Sequence, residues 1–257
     1  MPIGSYMWKT TGRPAKRAFR RFFGTLNLHI HTRLRPVFKY LETTSAIRMH
    51  SDARVLELGC GAGTNLLELA QRFPTLTGTG YDLNDESVAL ATDVANRLFP
   101  TRLNFVAADA RGELPRGEFD PVLLIDFLEH VAKPEAIMRV VSGLLCKGGE
   151  VLVSVPTPRF PRIFRQRFHK LAGHLVAGYD LSGLNALIPN ELELVAYRYN
   201  TGLVASAPCA LYYRIGSTLP QTALVKLFLA SLHCLRAFDC LNGPGRSCSL
   251  FAAYRKS

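Results

Sequence analysis

Three glycines alternate in the stretch VLELGCGAGTN, residues 55–65: Gly59, Gly61 and Gly63 follow an apolar run that carries one acid, Glu57. Bare backbone of this kind admits a ligand to a distance that a Cβ would forbid. Three ligand classes use a glycine loop after a first strand. A phosphate-binding P-loop needs G-x-x-x-x-G-K-[ST], which the sequence lacks. A dinucleotide fingerprint needs G-x-G-x-x-G, but counting from Gly59 and Gly61 the third position is Thr64. The form present is E-L-G-x-G-x-G. An acid beside the loop repels a pyrophosphate and attracts a ligand carrying positive charge. A second acid, Asp82, closes LTGTGYD at residues 76–82, and a third, Asp109, lies at the end of LNFVAADA. A carboxylate at the position of Asp82 suits a pair of vicinal hydroxyls, since it accepts two hydrogen bonds at once.

Two further groups could act on a substrate. Asp126, Glu129 and His130 sit together in DFLEHV, and His174 and Tyr179 in GHLVAGYD, with His169 competing for the same role. An imidazole or carboxylate beside a hydroxyl can serve as its general base. For His130 a packing role beneath the site stands beside the catalytic one, with Asp126 touching the ligand. For His174 the alternative is a surface histidine.

The elements that would position these residues alternate. RVLEL (54–58), 76–82, LNFVAADA, DPVLLID (120–126) and EVLVSVP read as strands, because short apolar runs end at glycines or acids. Thr64 or Asn65 starts a helix over 64–73, and Asn84 caps DESVALATDVANRLF with acids in its first turn. PEAIMRVVSGLLCKGG reads as a helix with proline at its start and glycines at its end, and Pro121 fits only the first residue of its strand. Such alternation predicts a doubly wound, mostly parallel sheet, which binds ligands at the carboxyl ends of its strands. Beyond residue 156, 191–199 and 247–254 look like strands, and 221–241 is a strongly apolar helix whose Lys226, His233, Arg236 and Asp239 make it too polar to span a membrane.

Residues 53–156 resemble the class I S-adenosylmethionine-dependent methyltransferases in four successive motifs: VLELGCGAG, GYDLN, AADA, and FDPVLLIDFLEHV with LLCKGGEVLVSVP. Asp82 lies about 20 residues past the glycines, as the second motif requires. The resemblance implies a Rossmann-like, seven-stranded sheet with two antiparallel strands at one edge, a basic N-terminal extension and a helical insertion before the last strand. It implies S-adenosyl-L-methionine as cofactor, bound at Glu57, Gly59, Cys60, Gly61 and Gly63: Gly59 and Gly61 would let the backbone approach its methionine moiety, Gly63 would let the next helix pack closely, and Glu57 would orient the loop through amide hydrogen bonds or sit near the cofactor ammonium. Asp82 would hold the ribose, Leu83 one adenine face, Asp109 with Ala110 the adenine amino group, and Asp126 the methionine end. D-x-x-E-H is similar to the E-x-x-E-H segment of ubiquinone-type O-methyltransferases, where that cluster is associated with a divalent metal. Asp126 replaces the first Glu with a shorter arm, so no metal is expected here. H-x-x-x-G-Y resembles lid segments of family members from small-molecule and glycolipid pathways, which makes His130, His174 and Asp126 the catalytic candidates.

Charge is uneven. Lys and Arg outnumber Asp and Glu by 10 to 1 in residues 1–50 and by 12 to 4 in 157–257, but fall short by 9 to 15 in 51–156. The expected organisation is a basic helical extension or lid (1–50) on one methyltransferase domain (51–257), whose cofactor half is 51–156 and whose acceptor half is 157–257. Arg159, Arg162, Arg165 and Arg167, interleaved with Phe160, Phe164 and Phe168, and the N-terminal KRAFRRFFGTLNLHIHTRLRP predict a small-molecule or lipid-linked acceptor that is anionic, or is presented on an anionic membrane. Nucleic acid is the less favoured partner, because DFLEH stands where amino-methylating nucleic-acid enzymes carry N-P-P-[YF]. An RNA or protein methyltransferase and a non-catalytic cofactor-binding subunit are the rival readings. None of the six cysteines forms C-x-x-C. With no secretory apolar core at the N-terminus, the expectation is a cytoplasmic protein, peripheral on the inner membrane face, with organelle targeting as the alternative.

Overall fold

A computed structural model describes residues 34–45, 53–109, 112, 117–160, 173–202, 204, 206 and 242–257. Helix α1 (Arg35–Thr43) precedes β1 (Arg54–Leu58), α2 (Thr64–Arg72), β2 (Thr77–Asp82), α3 (Asp85–Leu98), β3 (Leu103–Ala107) and β4 (Phe119–Ile125). A single 3₁₀ turn (Leu128–His130), α4 (Pro134–Leu144), β5 (Leu145–Pro156), α5 (Leu181–Asn185), β6 (Leu192–Asn200) and β7 (Ser249–Lys256) follow. The strands form one seven-stranded sheet in the order β3-β2-β1-β4-β5-β7-β6. The first five pair in parallel, whereas β7 runs antiparallel between β5 and β6. This is the Rossmann-like sheet expected from the alternation, with its order reversing beside β1, so the carboxyl ends of β1 and β4 frame the ligand crevice.

Period-two side-chain alternation divides the core between the two faces. Val55, Leu123, Ile125, Leu152, Phe251 and Ala253 face α1, α2 and α3. Their immediate neighbours Leu56, Leu124, Val151, Val153, Leu250 and Ala252 face α4 and Leu184 of α5. Strands buried on both faces read as unbroken apolar runs, which is why they were legible. Helix α1 lies within the stretch assigned to the N-terminal extension, yet Val37, Phe38 and Leu41 are buried in the same core as α2 and α3. It is also fixed by polar contacts: the fully buried Glu150 accepts from Tyr40 Oη at 3.0 Å, Ser45 Oγ at 2.5 Å and Arg255 Nη2 at 2.8 Å.

Two local expectations are corrected. Pro121 is the third residue of β4, not the first. The β4–β5 register shifts between Phe119 and Pro121, and Arg54 N–H is taken by the Asp120 carboxylate at 2.7 Å, so no ladder bond depends on a proline N–H. Helix α4 ends at Leu144, and LCKGG belongs to β5. Gly149 is needed there because a Cβ would stand 2.9 Å from Cys146 O and 3.0 Å from Asp120 O. Helix α2 begins at Thr64, as expected; its cap position is Gly63 in the left-handed region, and Asn65 turns its side chain to Glu57. Asn84 does cap α3, accepting from Ser87 N–H at 2.8 Å. The basic segment 1–33, Ala110, residues 161–172 with their Arg, Phe and His169, and the apolar stretch 221–241 lie outside the described residues.

Candidate functional site

The glycine loop leaves β1 at its carboxyl end and is held by its neighbour strand. Gly59 and Cys60 both donate their N–H groups to Tyr81 O, at 2.8 and 3.0 Å. All three glycines have positive φ, at 78°, 50° and 71° for Gly59, Gly61 and Gly63. Their bareness has different causes. A Cβ on Gly59 would meet the Phe127 ring at 2.6 Å, and one on Gly63 would meet Phe105 at 2.6 Å and Ala91 at 2.9 Å. These two positions are required by packing, Gly63 as expected for close approach of the helix. Gly61 alone faces open space, with nothing within 4 Å.

Asp82, half-buried at the end of β2, accepts from Gly61 N–H at 2.7 Å and from Asn84 N–H at 2.9 Å. The carboxylate therefore ties the open glycine to the end of the next strand, and its oxygens retain lone pairs for a diol. Leu83, beside it, is 68% exposed, an apolar side chain with a free face at the rim. Register pairs Asp82 with Ala107, and Ala108 N–H donates to Asp82 O at 3.0 Å, so the half-buried Asp109 lies two residues beyond that pair. An open backbone cradle, a diol-binding carboxylate, an exposed apolar face and a second acid fit an adenosyl ligand.

Glu57 belongs beneath this cradle, not in it. It is fully buried and accepts a hydrogen bond from Asn65 Nδ2. Burial pushes its carboxyl up to about 8, against the pull of the Asn65 bond, and the charge of Asp82 adds to the rise. Its role is to orient loop and helix; contact with a ligand ammonium is not what the geometry provides. Cys60 is buried, donates weakly to Gly61 O at 3.7 Å, and is pushed up by burial and then by the charges of Glu57 and Asp82, so it is a packed thiol with no nucleophilic character. It fills the space beside Gly80, where a Cβ would lie 2.8 Å from its sulfur.

The other half of the crevice is built where β4 ends. Asp126 has φ of 48°, and its N–H donates to Ser154 O at 2.7 Å. This left-handed residue turns the chain sharply into the 3₁₀ turn that carries Glu129 and His130. The segment after β5 then crosses above it. Leu175 N–H donates to Glu129 O at 2.8 Å, and Tyr179 N–H to Pro156 O at 2.8 Å. Gly178 passes so close to β5 that a Cβ would lie 2.3 Å from Pro156 O. The crossing brings His174 against His130, ring centroids 4.9 Å apart and nearly perpendicular, with Phe160 packed on the other side of His174 at 5.6 Å. His130 Nδ1 is 3.1 Å from Gly173 O. A carbonyl only accepts, so Nδ1 carries a proton, and in the neutral ring Nε2, 4.0 Å from Glu129 Oε1, is the nitrogen with the lone pair. Glu129 is fully buried.

Two catalytic candidates far apart in sequence thus meet, and sequence reasoning missed the full weight of Glu129, which stood beside His130 in the motif. Asp126 is not part of this cluster. Tyr179, paired with His174 in the sequence reading, instead directs its hydroxyl to Leu128 O at 3.4 Å, and burial, then Glu129 and Glu135, raise its phenol. Phe160 is buried, and the half-buried Arg159 is held locally, its guanidinium donating to Gly245 O at 2.5 Å.

Comparison with known proteins fits this geometry. A family model described as a methyltransferase domain matches residues 21–227. The ubiquinone biosynthesis O-methyltransferase of Pseudomonas aeruginosa is 31% identical over 101 residues, covering 39% of this chain and 43% of that protein. This chain therefore matches less than half the length of that relative. Among solved structures, the MccD protein superposes with a TM-score of 0.62 at 14% identity over 88% of this chain and 99% of that one. Coclaurine N-methyltransferase, bound to N-methylheliamine and S-adenosylhomocysteine, gives 0.60 at 14% identity over 86% and 72%. With the glycine cradle, the two strand-end acids and the sheet order in agreement, the chain belongs to the methyltransferase-domain family, whose methyl donor is S-adenosylmethionine.

Proposed function

We propose that this protein transfers the methyl group of S-adenosylmethionine to a hydroxyl oxygen of a small-molecule or lipid-linked acceptor. The cofactor supplies a methyl carbon already activated on a sulfonium, so the chain has to align the acceptor, exclude water and receive one proton. Asp82 and the Gly61 backbone hold the donor side. On the acceptor side, His130 and His174 stand ready to take the hydroxyl proton, with His130 held in the tautomer that leaves Nε2 basic. The observation that carries the reading is the meeting of these two imidazoles over the end of β4, beside the cofactor cradle. An amine acceptor, already nucleophilic once neutral, has less need of such a pair. The partial likeness to ubiquinone biosynthesis O-methyltransferases supports an oxygen acceptor. The basic segments 1–33 and 161–172 support an anionic acceptor, or one presented on an anionic membrane from the cytoplasmic side. No helix among the described residues is long and apolar enough to cross a membrane.

The test is to incubate the full chain with isotopically labelled S-adenosylmethionine and a metabolite and lipid extract, then to follow S-adenosylhomocysteine and the labelled products by mass spectrometry. An O-methylated product, lost in His174→Gln with cofactor affinity intact, is expected. A labelled amine, or label that disappears after nuclease treatment, refutes the proposed acceptor.

A further inference from the structure

In the E-x-x-E-H segment that D-x-x-E-H resembles, two carboxylates and one imidazole are associated with a divalent metal, and the shorter Asp126 argues against that set here. The structure assembles a different set. Glu129, His130 and His174 each offer one donor atom, and the three lie within 4.8 Å of one another, with Asp126 outside the group. We propose that these three residues bind one divalent transition-metal ion of the zinc type, with His174 as the ligand that completes the site. The inference rests on the functional reading above, since the ion would lie where the acceptor hydroxyl is expected.

Three observations carry it. The first is spacing. Tetrahedral ligands at about 2.0–2.1 Å from zinc stand roughly 3.3 Å apart. The pair His130 Nε2 and Glu129 Oε1 is at 4.0 Å, so a side-chain rotation of well under an ångström closes it. The second is orientation. A histidine that binds metal through one ring nitrogen almost always donates the other N–H to a carbonyl or carboxylate, which fixes ring and tautomer. His130 has that arrangement, with Nδ1 on Gly173 O and Nε2 turned to the cluster, and Gly173 immediately precedes His174. The residue whose carbonyl fixes one imidazole is thus the chain neighbour of the other. The third is burial. Glu129 is fully buried, whereas His130 is 37% exposed, so the cluster has a low-dielectric floor and one open side. Three protein ligands leave a fourth position on that side for a hydroxyl.

Replacing a carboxylate with an imidazole changes which ion fits. Magnesium takes oxygen ligands in a near-octahedral shell, whereas two imidazoles and one carboxylate suit zinc, ferrous iron or cobalt. Were the ion bound, Glu129, His130 and His174 would hold it and it would supply Lewis acidity to an acceptor hydroxyl at its open position, the imidazoles then serving as ligands in place of bases and the proton leaving to solvent.

The test uses the full chain stripped with a chelator, then dialysed against zinc or cobalt(II) with a hundredfold excess of magnesium. One zinc per chain by elemental mass spectrometry, and visible cobalt absorption of a four- or five-coordinate centre, are expected. Since loss of a partner that merely orients a ligand weakens metal binding about 10- to 100-fold, His174→Gln should weaken it by at least as much. His174 is partly exposed, so this variant should fold; Glu129→Gln provides a second reading if its melting temperature is preserved. Failure to retain an ion overturns the proposal, as does equal retention by His174→Gln, which places the ion elsewhere. Displacement of zinc by magnesium overturns the nitrogen-rich assignment. Zinc retained without O-methyl transfer sustains the site and sinks only the functional reading, whereas transfer that survives chelation with no ion retained does the reverse.

Discussion

Replacing Asp82 by alanine separates ligand binding from loop architecture, because the carboxylate has a measurable part in both. In the structure it accepts two backbone N–H groups, Gly61 at 2.7 Å and Asn84 at 2.9 Å. Both are charge-assisted, and hydrogen bonds to charged groups contribute about 1.5–3 kcal/mol each when buried. Here the group is half-exposed, so solvent screens part of that, and a stability loss of about 1–2 kcal/mol is expected for the variant. Ligand affinity is a separate sum. A ribose diol adds two donors to the same carboxylate, worth about 2–4 kcal/mol together after exchange with water. At 1.4 kcal/mol per decade that is roughly a 30- to 700-fold weaker complex. Titration calorimetry with S-adenosylhomocysteine gives the affinity, and a urea melt on the same preparations gives the stability. Asp82→Asn keeps one acceptor oxygen and should fall between wild type and Asp82→Ala in affinity. If Asp82→Ala stays folded and binds within threefold of wild type, the cradle is not at this strand end and the site assignment fails.

Other perturbations test other parts of the argument. Gly61→Ala should cost only about 1 kcal/mol of stability, from its positive φ in open space, yet abolish detectable cofactor binding; Gly63→Ala, which drives a Cβ into Phe105 and Ala91, should cost about 2–4 kcal/mol, read by thermal melting. Glu150→Ala removes a buried carboxylate that Tyr40, Ser45 and Arg255 all address, so about 3–5 kcal/mol should be lost in a urea melt, and a much smaller loss would mean that α1 is not docked as described. Glu57 has a folded-state value raised to about 8 from an unfolded value near 4.5. Its contribution is thus fully present below about pH 4.5 and lost as pH rises through 8; Glu57→Gln should flatten stability against pH in that window, and an unchanged slope would refute the raised value.

The cofactor half was legible because its residues are close in sequence and each does one thing the chain announces. Strands β1 and β4 read as strands since both of their faces are buried, and Asn84 read as a cap since its side chain has no better partner than Ser87 N–H. The errors there were ones of cause and boundary. Nothing local says that Gly59 is bare because Phe127, 68 residues on, lies against it, or that Gly149 belongs to a strand because Phe119 and Asp120 carbonyls crowd it. Pro121 misled for a related reason: its tolerance depends on a register shift against β5 and on the Asp120 side chain, both tertiary facts.

The acceptor half was legible only as parts. His130 and His174 each stood out by type, and each had an equally good bland reading while they were separate. What changes the weighing is Gly178, the glycine of H-x-x-x-G-Y, whose part in the site the motif does not announce. Its φ of 131° and its contact with Pro156 O let the chain run flat across the end of β5, which places Gly173 and His174 on the turn that carries Glu129. A side chain at 178 would lift that crossing. Gly178→Ala should therefore impair methyl transfer and zinc retention together while leaving S-adenosylhomocysteine affinity as it is, because Asp82 and Gly61 are held by β2 and by each other, not by the crossing. Joint loss of all three would show that the two halves are mechanically one, and loss of none would show that the crossing does not deliver His174.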